Sequence, residues 1–495
     1  MPQAHASEQN NRYCWHTYPR RIANAAGRRI LTHHAVRPVC RRLFTERRKM
    51  AKAKSEQTLM TEGPIRAQII RFALPLFLGN LFQQLYNTVD SLIVGNFLGS
   101  SALAAVSSSG NLIFFVVGFF SGMAMGGSVL IARYLGAGEN ENVEAAVHTS
   151  AALGLIFSAV MTVSGIALAP SVLRMMNTPP DVLPESITYF RVYFCGSVGF
   201  VMYNFLVGIL QAAGDSRHPL YYLITSSVLN VVLDLIFVTQ LHMGVGGAAL
   251  ATGISQLTSS YLALRRLHHL GGPLHLSFRK IRLNGKMVRG VLRLGLPSGL
   301  QNSIIAFSNV LIQSYINSFG SAAVAGIGSY QKLEGFGFLP VTSFAMALPA
   351  FISQNLGAGK PDRARAGARF GIACATVVAA LTGIGFAVFG PQLIALFDRS
   401  PDVIYYGTGR ARVVGPFFAL VAYTHMMAAT LRGAQRAVSS MVIMLMSWCV
   451  VRILVLAITS LFIHDIAVTY WVYPLTWTLS AIAFTIYYRK EKIFG

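Results

Sequence analysis

RFALPLFLGNLFQQLYNTVDSLIVGNFLG, from Arg71 to Gly99, decides how the chain is read. It is long and apolar enough to cross a membrane as one helix, because a helix rises about 1.5 Å per residue and the hydrocarbon core is about 30 Å thick. Within it sit Pro75, which lacks an N–H and bends a helix, a polar stripe of Asn80, Gln83, Gln84 and Asn87, and one acid, Asp90. A lipid anchor needs none of these. Asp90 follows Pro75 by fifteen positions, about 22 Å along the axis. An acid inside a span costs about 2.5–3.5 kcal/mol to insert, so its default reading is functional.

The composition around this stretch agrees. The 495 residues are 54% apolar and only 12% charged, with a mean hydropathy of +0.52; an ordinary soluble domain has about 25% charged residues. A net charge of +23 suggests nucleic acid at first sight. The basic residues, however, sit in short runs between apolar spans, where cytoplasmic loops of membrane proteins carry them, so no nucleic-acid partner is expected. Cys14, Cys40, Cys195, Cys374 and Cys449 are odd in number and far apart, which supports neither a disulfide framework nor a zinc site. No metal-ligand cluster, nucleophile elbow or phosphate loop points to an enzyme.

Residues 1–49 differ from the rest, with ten arginines and no apolar run. They read as a basic arm touching anionic headgroups, or as an over-extended reading frame or disordered tail before Met50. Twelve spans follow, near 67–97, 102–135, 142–170, 185–212, 217–241, 245–269, 286–318, 322–356, 363–391, 402–432, 437–462 and 466–488. Arginine and lysine collect on alternate connections, among them Arg265 to Lys286, Lys360 to Arg369, and Arg432 with Arg436. The expected product is a multi-pass plasma-membrane protein of the bacterial inner membrane with both termini cytoplasmic.

An internal repeat divides the chain. LGAG at 135 returns at 356, LGSSALAAV at 98 is echoed by FGSAAVAGI at 319, and LQAAG at 210 by LRGAQ at 431, each at an offset of 221. Pro75 is matched by Pro297 at 222. Six spans separate the equivalents, so the halves share one topology and should be related by an axis along the membrane normal. The expected fold is all-α, with twelve transmembrane helices in two pseudo-symmetric six-helix lobes around a central cavity. The domains are a basic extension 1–60, lobes 61–270 and 286–495, and a cytoplasmic linker 271–285.

The proline-bearing first helix with its Asp, VGNFLGSSALAAV, IARYLGAG, QAAGD, NVVLD, GVGGAALAT and QNLGAGK together resemble the multidrug and toxic compound extrusion transporters. The resemblance covers Thr61 to Gly495. It implies cation-coupled antiport, in which amphiphilic, often cationic, organic compounds leave while H+ or Na+ enters, with no cofactor and the protein acting as a monomer in the lipid bilayer. It also implies that Asp90 binds the coupling cation with Asn230 and Asp234, while Thr252 supplies a hydroxyl and Tyr189 an aromatic position. The spacing of Asn230 and Asp234 puts both on one helix face, and their oxygens suit a proton or a hard cation.

The second half departs from this pattern, with Leu311 at the Asp90 position, Asn309 nearby, and Val451 and Val455 for Asn230 and Asp234 at the 221 offset. It has its own cluster, Tyr330, Gln331, Lys332 and Glu334, read either as a substrate or second ion site or as a Lys332–Glu334 ion pair. Arg452 is the only deep arginine in this reading. Pro75 and Pro297 read as helix-bending, Pro340 and Pro349 as helix breaks, and His148 and His425 as packing residues. Gly118, Gly122, Gly126 and Gly127 read as small residues that let helices approach. Two alternatives stay open, a lipid-linked oligosaccharide flippase of the same superfamily and a non-transporting membrane protein.

Overall fold

In the computed structural model, residues 59–175, 180, 182–491 and 493–494 are described, with the backbone alone at 91, 99–101, 103–105, 107–112 and 114. The basic extension read over 1–60 therefore lies almost wholly outside them. The described residues are helical and contain no strand. In order they form α1 (Ile65–Ala137), α2 (Asn140–Met175), α3 (Leu183–Cys195), α4 (Ser197–Ala212), α5 (Arg217–Asp234), α6 (Gly244–His269), α7 (Gly285–Asn317) and α8 (Ser321–Gly357). Then come α9 (Pro361–Ala395), α10 (Pro401–Val414), α11 (Phe418–Gly433), α12 (Ala437–Leu445), α13 (Arg452–Ser460) and α14 (Ala467–Lys490).

Length and apolar composition mark eight of these segments as membrane-crossing, or nine when α3 and α4, which meet at 46°, count as one bent span. Helices α6, α7 and α14 are long enough but more polar. Nine and three make the twelve passes of a two-lobed membrane bundle. Single π turns, Leu235–Gln240 after α5 and Met446–Val451 between α12 and α13, lie inside two of these passes, and such turns often mark functional positions.

The first two expected spans, parted near residue 100, are the apolar segments Ile65–Leu98 and Phe115–Ala137, although the helical run Ile65–Ala137 is continuous over 73 residues. Straight, it would measure about 110 Å. Both its ends return to one residue: the Met60 amide donates to Gln354 Oε1 at 2.8 Å, and Gly136 packs on the Gln354 carbonyl. The run therefore doubles back between its two apolar segments, Ile65–Leu98 and Phe115–Ala137. Pro340 and Pro349 do not break α8, which passes through both. The tenth span is two helices, α10 and α11, joined by the short 3-10 turn Gly415–Phe417.

Leu59–His269 and Pro273–Gly495 form one compact unit, so both halves of the repeat share it. The repeat is visible in how they touch. A Cβ on Gly136 would lie 1.9 Å from the Gln354 carbonyl oxygen, and one on Gly357 would lie 2.1 Å from that of Arg133. Arg133 and Gln354 are themselves 221 apart, as are the two glycines. Each copy thus presents the same glycine to the same carbonyl of the other.

Gly122 and Gly126 extend the contact along α1, with room for only a hydrogen against the backbone at Gly299 and Gly295 of α7. Ser353 Oγ donates to Val129 O at 2.7 Å, and farther out Ser303 Oγ donates to Phe115 O at 3.0 Å. At the basic end Lys360 and Arg363 tie down the Thr61 and Gly63 carbonyls at 3.0 and 2.7 Å. Farther along, Leu92, Phe97, Phe307 and Val310 are exposed. The halves are joined at the basic end.

The linker is held to the first half, since Ser277 N donates to His148 Nε2 at 3.1 Å and Lys280 pairs with Glu144 at 2.7 Å. His148 is thus a packing residue, as is His425, whose ring lies between Phe338 and Trp448. Asn284 then caps α7, its Oδ1 accepting from the amides of Lys286 at 3.1 Å and Met287 at 3.3 Å. Asn284→Ala is expected to cost about 1 kcal/mol, read as a small drop in thermal midpoint with transport unchanged.

Candidate functional site

Helix α1 belongs to both halves. Its first turns, through Ile69, Phe72, Ala73 and Leu76, are part of the apolar core of the second half, and Asn80 donates to Ser343 of α8 at 3.3 Å. Farther along, Ile93 and Val94 pack with Tyr189, Val238 and Val245 of the first half. Pro75 lies on the second-half side of this handover, where the missing N–H makes the helix easiest to bend.

Asp90 sits at the first-half end of that helix, half-buried. It meets Asp234 at the C-terminal end of α5, whose side chain is 0% exposed. The two carboxyls are close neighbours. Ionised carboxylates only accept, so the contact becomes a hydrogen bond only when a proton sits between them. The neighbouring oxygens repeat the theme. Asp90 Oδ1, both oxygens of Asp234 and Oδ1 of Asn230 are buried without a donor, while Asn230 Nδ2 reaches Thr252 Oγ1 at 3.4 Å. Thr252 spends its own proton on the Ala248 carbonyl at 3.1 Å, leaving its lone pairs toward Asn230.

An assembly of acceptors with no donor is costly unless a cation completes it. Asp90, Asn230, Asp234 and Thr252 are therefore brought together as the resemblance implied, and Tyr189 lies beside them, stacked on Tyr193 with the ring centroids 6.3 Å apart. Two neighbours were missed. Tyr86 interacts with Gln83 and Gln256 and faces both acids. The signal was available, because Tyr86 precedes Asp90 and Thr252 precedes Gln256 by four, one helical turn on the same face.

The second-half candidates divide. Gln331 and Lys332 are exposed; Gln331 points to Gln313 at 3.5 Å and Lys332 lies 5.6 Å over the Phe397 ring. Glu334 turns inward, where the cation nearest it is Arg410 of α10, at 3.8 Å. The Lys332–Glu334 pairing is thus replaced by Arg410–Glu334. Arg452 is joined in the interior by Arg410 and Arg432, all three buried, which corrects the count of one deep arginine. Arg452 also revises the repeat. It donates to Thr476 at 3.1 Å, as Asn230 does to Thr252. At the Pro75–Pro297 offset of 222, the counterpart of Asn230 is Arg452 rather than Val451.

The family model MatE matches twice, at residues 75–236 and 297–458, beginning at Pro75 and Pro297. The "Probable multidrug resistance protein YpnP" of Bacillus subtilis (strain 168) is 27% identical over 437 residues, covering 87% of this chain and 96% of its own. The "FAD transporter" of Shewanella oneidensis is 24% identical over 446 residues, covering 88% and 96%. Among solved structures, the "Outward-facing conformation of a multidrug resistance MATE family transporter of the MOP superfamily" superposes with a TM-score of 0.81 at 24% identity, covering 88% of this chain and 97% of that one.

Proposed function

We infer the function from one premise: this chain belongs to the MatE family, the multidrug and toxic compound extrusion transporters. On that premise it is a secondary active antiporter, a multi-pass protein of the bacterial inner membrane with both termini cytoplasmic and working as a monomer. It exports amphiphilic organic compounds in exchange for H+ or Na+. The observation that carries the reading is the opposed pair Asp90 and Asp234 with Asn230 beside it, where Asp90 Oδ1, Asn230 Oδ1 and both oxygens of Asp234 are buried without donors.

The mechanism follows from where Asp90 sits. A cation on the pair cancels charge at one end of α1, and the first turns of the same helix are built into the core of the other half. Loading and unloading the pair therefore biases how α1 bridges the halves, with Pro75 as its weak point. A cation shifts such an equilibrium only by its differential affinity for the two states, and the pair provides that difference if it is assembled in one state and parted in the other. With the basic end cytoplasmic, the halves are joined on the cytoplasmic side.

The test is efflux of a fluorescent amphiphilic dye from proteoliposomes under an imposed proton gradient and then an imposed sodium gradient. Wild-type protein is expected to respond to one of them, which names the ion. Dye that stays put under both gradients sinks the reading.

A further inference from the structure

The core of the second half mirrors the coupling site with its polarity reversed. Around Tyr473 of α14, Arg410 and Arg452 stack on the same ring, each 4.5 Å from its centroid. Tyr330 flanks Arg410 at 5.6 Å, Trp448 flanks Arg452 at 5.3 Å, and Trp477 lies 5.9 Å from Tyr473. Both arginines are 1% exposed. Among the described residues Glu334 is the one acid of the cluster; its ion pair is with Arg410, at 3.8 Å, and its charge also reaches Arg452 from farther off. Arg452 is met by neutral groups, Asn309 at 3.3 Å and Thr476 at 3.1 Å. Asp465, the acid at the mouth of α14, is exposed beyond Tyr470.

Two buried cations face one carboxylate. The hydrogen-bond inventory agrees, because Arg410 Nε and Nη1, Arg452 Nε, Trp477 Nε1 and the Tyr330 hydroxyl are all buried without a partner. The guanidinium and indole atoms can only donate. Where the first half holds acceptors that lack donors, the second holds donors that lack acceptors. Surplus positive charge and orphan donors in a water-poor interior are costly until an anion supplies both the charge and the lone pairs. Guanidinium forks match carboxylate and phosphate geometry, and the aromatic walls favour an apolar, flat body beside that group. Glu334, with 21% of its side chain exposed, and exposed Asn309 mark where the cluster reaches the surface.

We propose that Arg410 and Arg452, with Tyr330, Tyr473 and Trp477, form an anion-binding subsite that takes the carboxylate or phosphate of an aromatic amphiphile. This deepens the transport reading by naming a substrate class, one that is anionic or zwitterionic. It rests on that reading only for the view that the bound molecule is cargo.

Binding tests it without any ion gradient, so failure of coupled efflux and failure of this site are distinguishable. Full-length protein with Trp15→Phe and Trp471→Phe, in phosphatidylcholine nanodiscs, is titrated with 1-naphthoate and 1-naphthyl phosphate, and fluorescence of Trp448 and Trp477 is followed. Saturable quenching is expected. Arg410→Gln should weaken it roughly 30-fold or more, the scale of leaving a buried charge pair incomplete. Glu334→Gln, which removes the competing carboxylate, should tighten it, a change that misfolding cannot imitate. Adding phosphatidylglycerol separates two sources of the same chemistry: competition assigns the site to a lipid headgroup phosphate, and no competition assigns it to a soluble amphiphile. No saturable anion binding in either lipid, or equal affinity in wild type and both variants, would overturn the proposal.

Discussion

Asp234→Asn is expected to lower gradient-driven transport by tenfold or more while the melting temperature holds or rises. The two effects have one cause. Asp234 is 0% exposed and neither of its oxygens has a donor, so its carboxylate sits in a place that stabilises neither the charge nor the lone pairs. An unsatisfied buried polar group costs about 1–3 kcal/mol, and more when charged. An amide of the same shape carries no charge and brings two donors for Asp90 Oδ1 and Asn230 Oδ1, which lack them. The variant should therefore fold at least as well, yet it has no carboxylate to load and release a cation. Loss of function with gain of stability is the mark of a strained functional group.

A purely structural acid would behave differently, losing both together. Melting and dye efflux measured on the same preparation, with Asp234→Glu as the charge-retaining control, decide the matter. If the asparagine variant transports normally under both gradients, or if it loses stability and transport in parallel, the coupling role assigned to this pair is wrong.

Why Asp90 and Asp234 were legible from the chain alone, and Arg410 was not, has a physical answer. An acid in an apolar span announces itself, because insertion penalises it wherever it points. Arg410 sits in GTGRARVVG beside Arg412, and one-dimensional spacing cannot tell an arginine that snorkels to the interface from one that turns inward. What settles it is tertiary: Gly407 packs against Ile394 and the Gly326 carbonyl, drawing α10 into the core. Tyr473 then takes Arg410 and Arg452 on one ring.

The repeat was legible for a related reason. Identical glycines at identical offsets survive where no side chain fits, as at Gly136 and Gly357. The counterpart of Asn230 was misplaced by one residue because the anchors at 221 and 222 disagree. The two family-model matches, 222 apart at both their starts and their ends, resolve the register. The reversal in the first helical run was legible too, because a break in apolar character near residue 100 separates the two spans, Ile65–Leu98 and Phe115–Ala137.

Gly136→Ala is expected to unlock the basic end. The added methyl would stand 1.9 Å from the Gln354 carbonyl oxygen, 2.7 Å from its carbon and 2.9 Å from its Cα. All three are backbone atoms, so no side chain can swing aside. The helices must separate, and the Gln354 side chain would be strained with them, since it donates to Ala212 O at 2.6 Å and accepts from Met60 N at 2.8 Å.

Overpacking a close contact costs about 1–3 kcal/mol. Here the penalty falls on the closed arrangement alone, because a state in which the halves part at this end has room for the methyl. A bias of 1–3 kcal/mol shifts a two-state equilibrium about 5–150-fold. Transport should fall by a comparable factor while the apolar cores within each half, which the substitution does not touch, keep the protein folded. Spin labels at Asn140 and Asp362, both exposed beside the joined ends, should report a longer distance than in the unsubstituted protein. Gly357→Ala should do the same through Arg133, since the repeat presents the same contact twice. Unchanged distances with normal transport in both variants would mean that this junction does not open during the cycle.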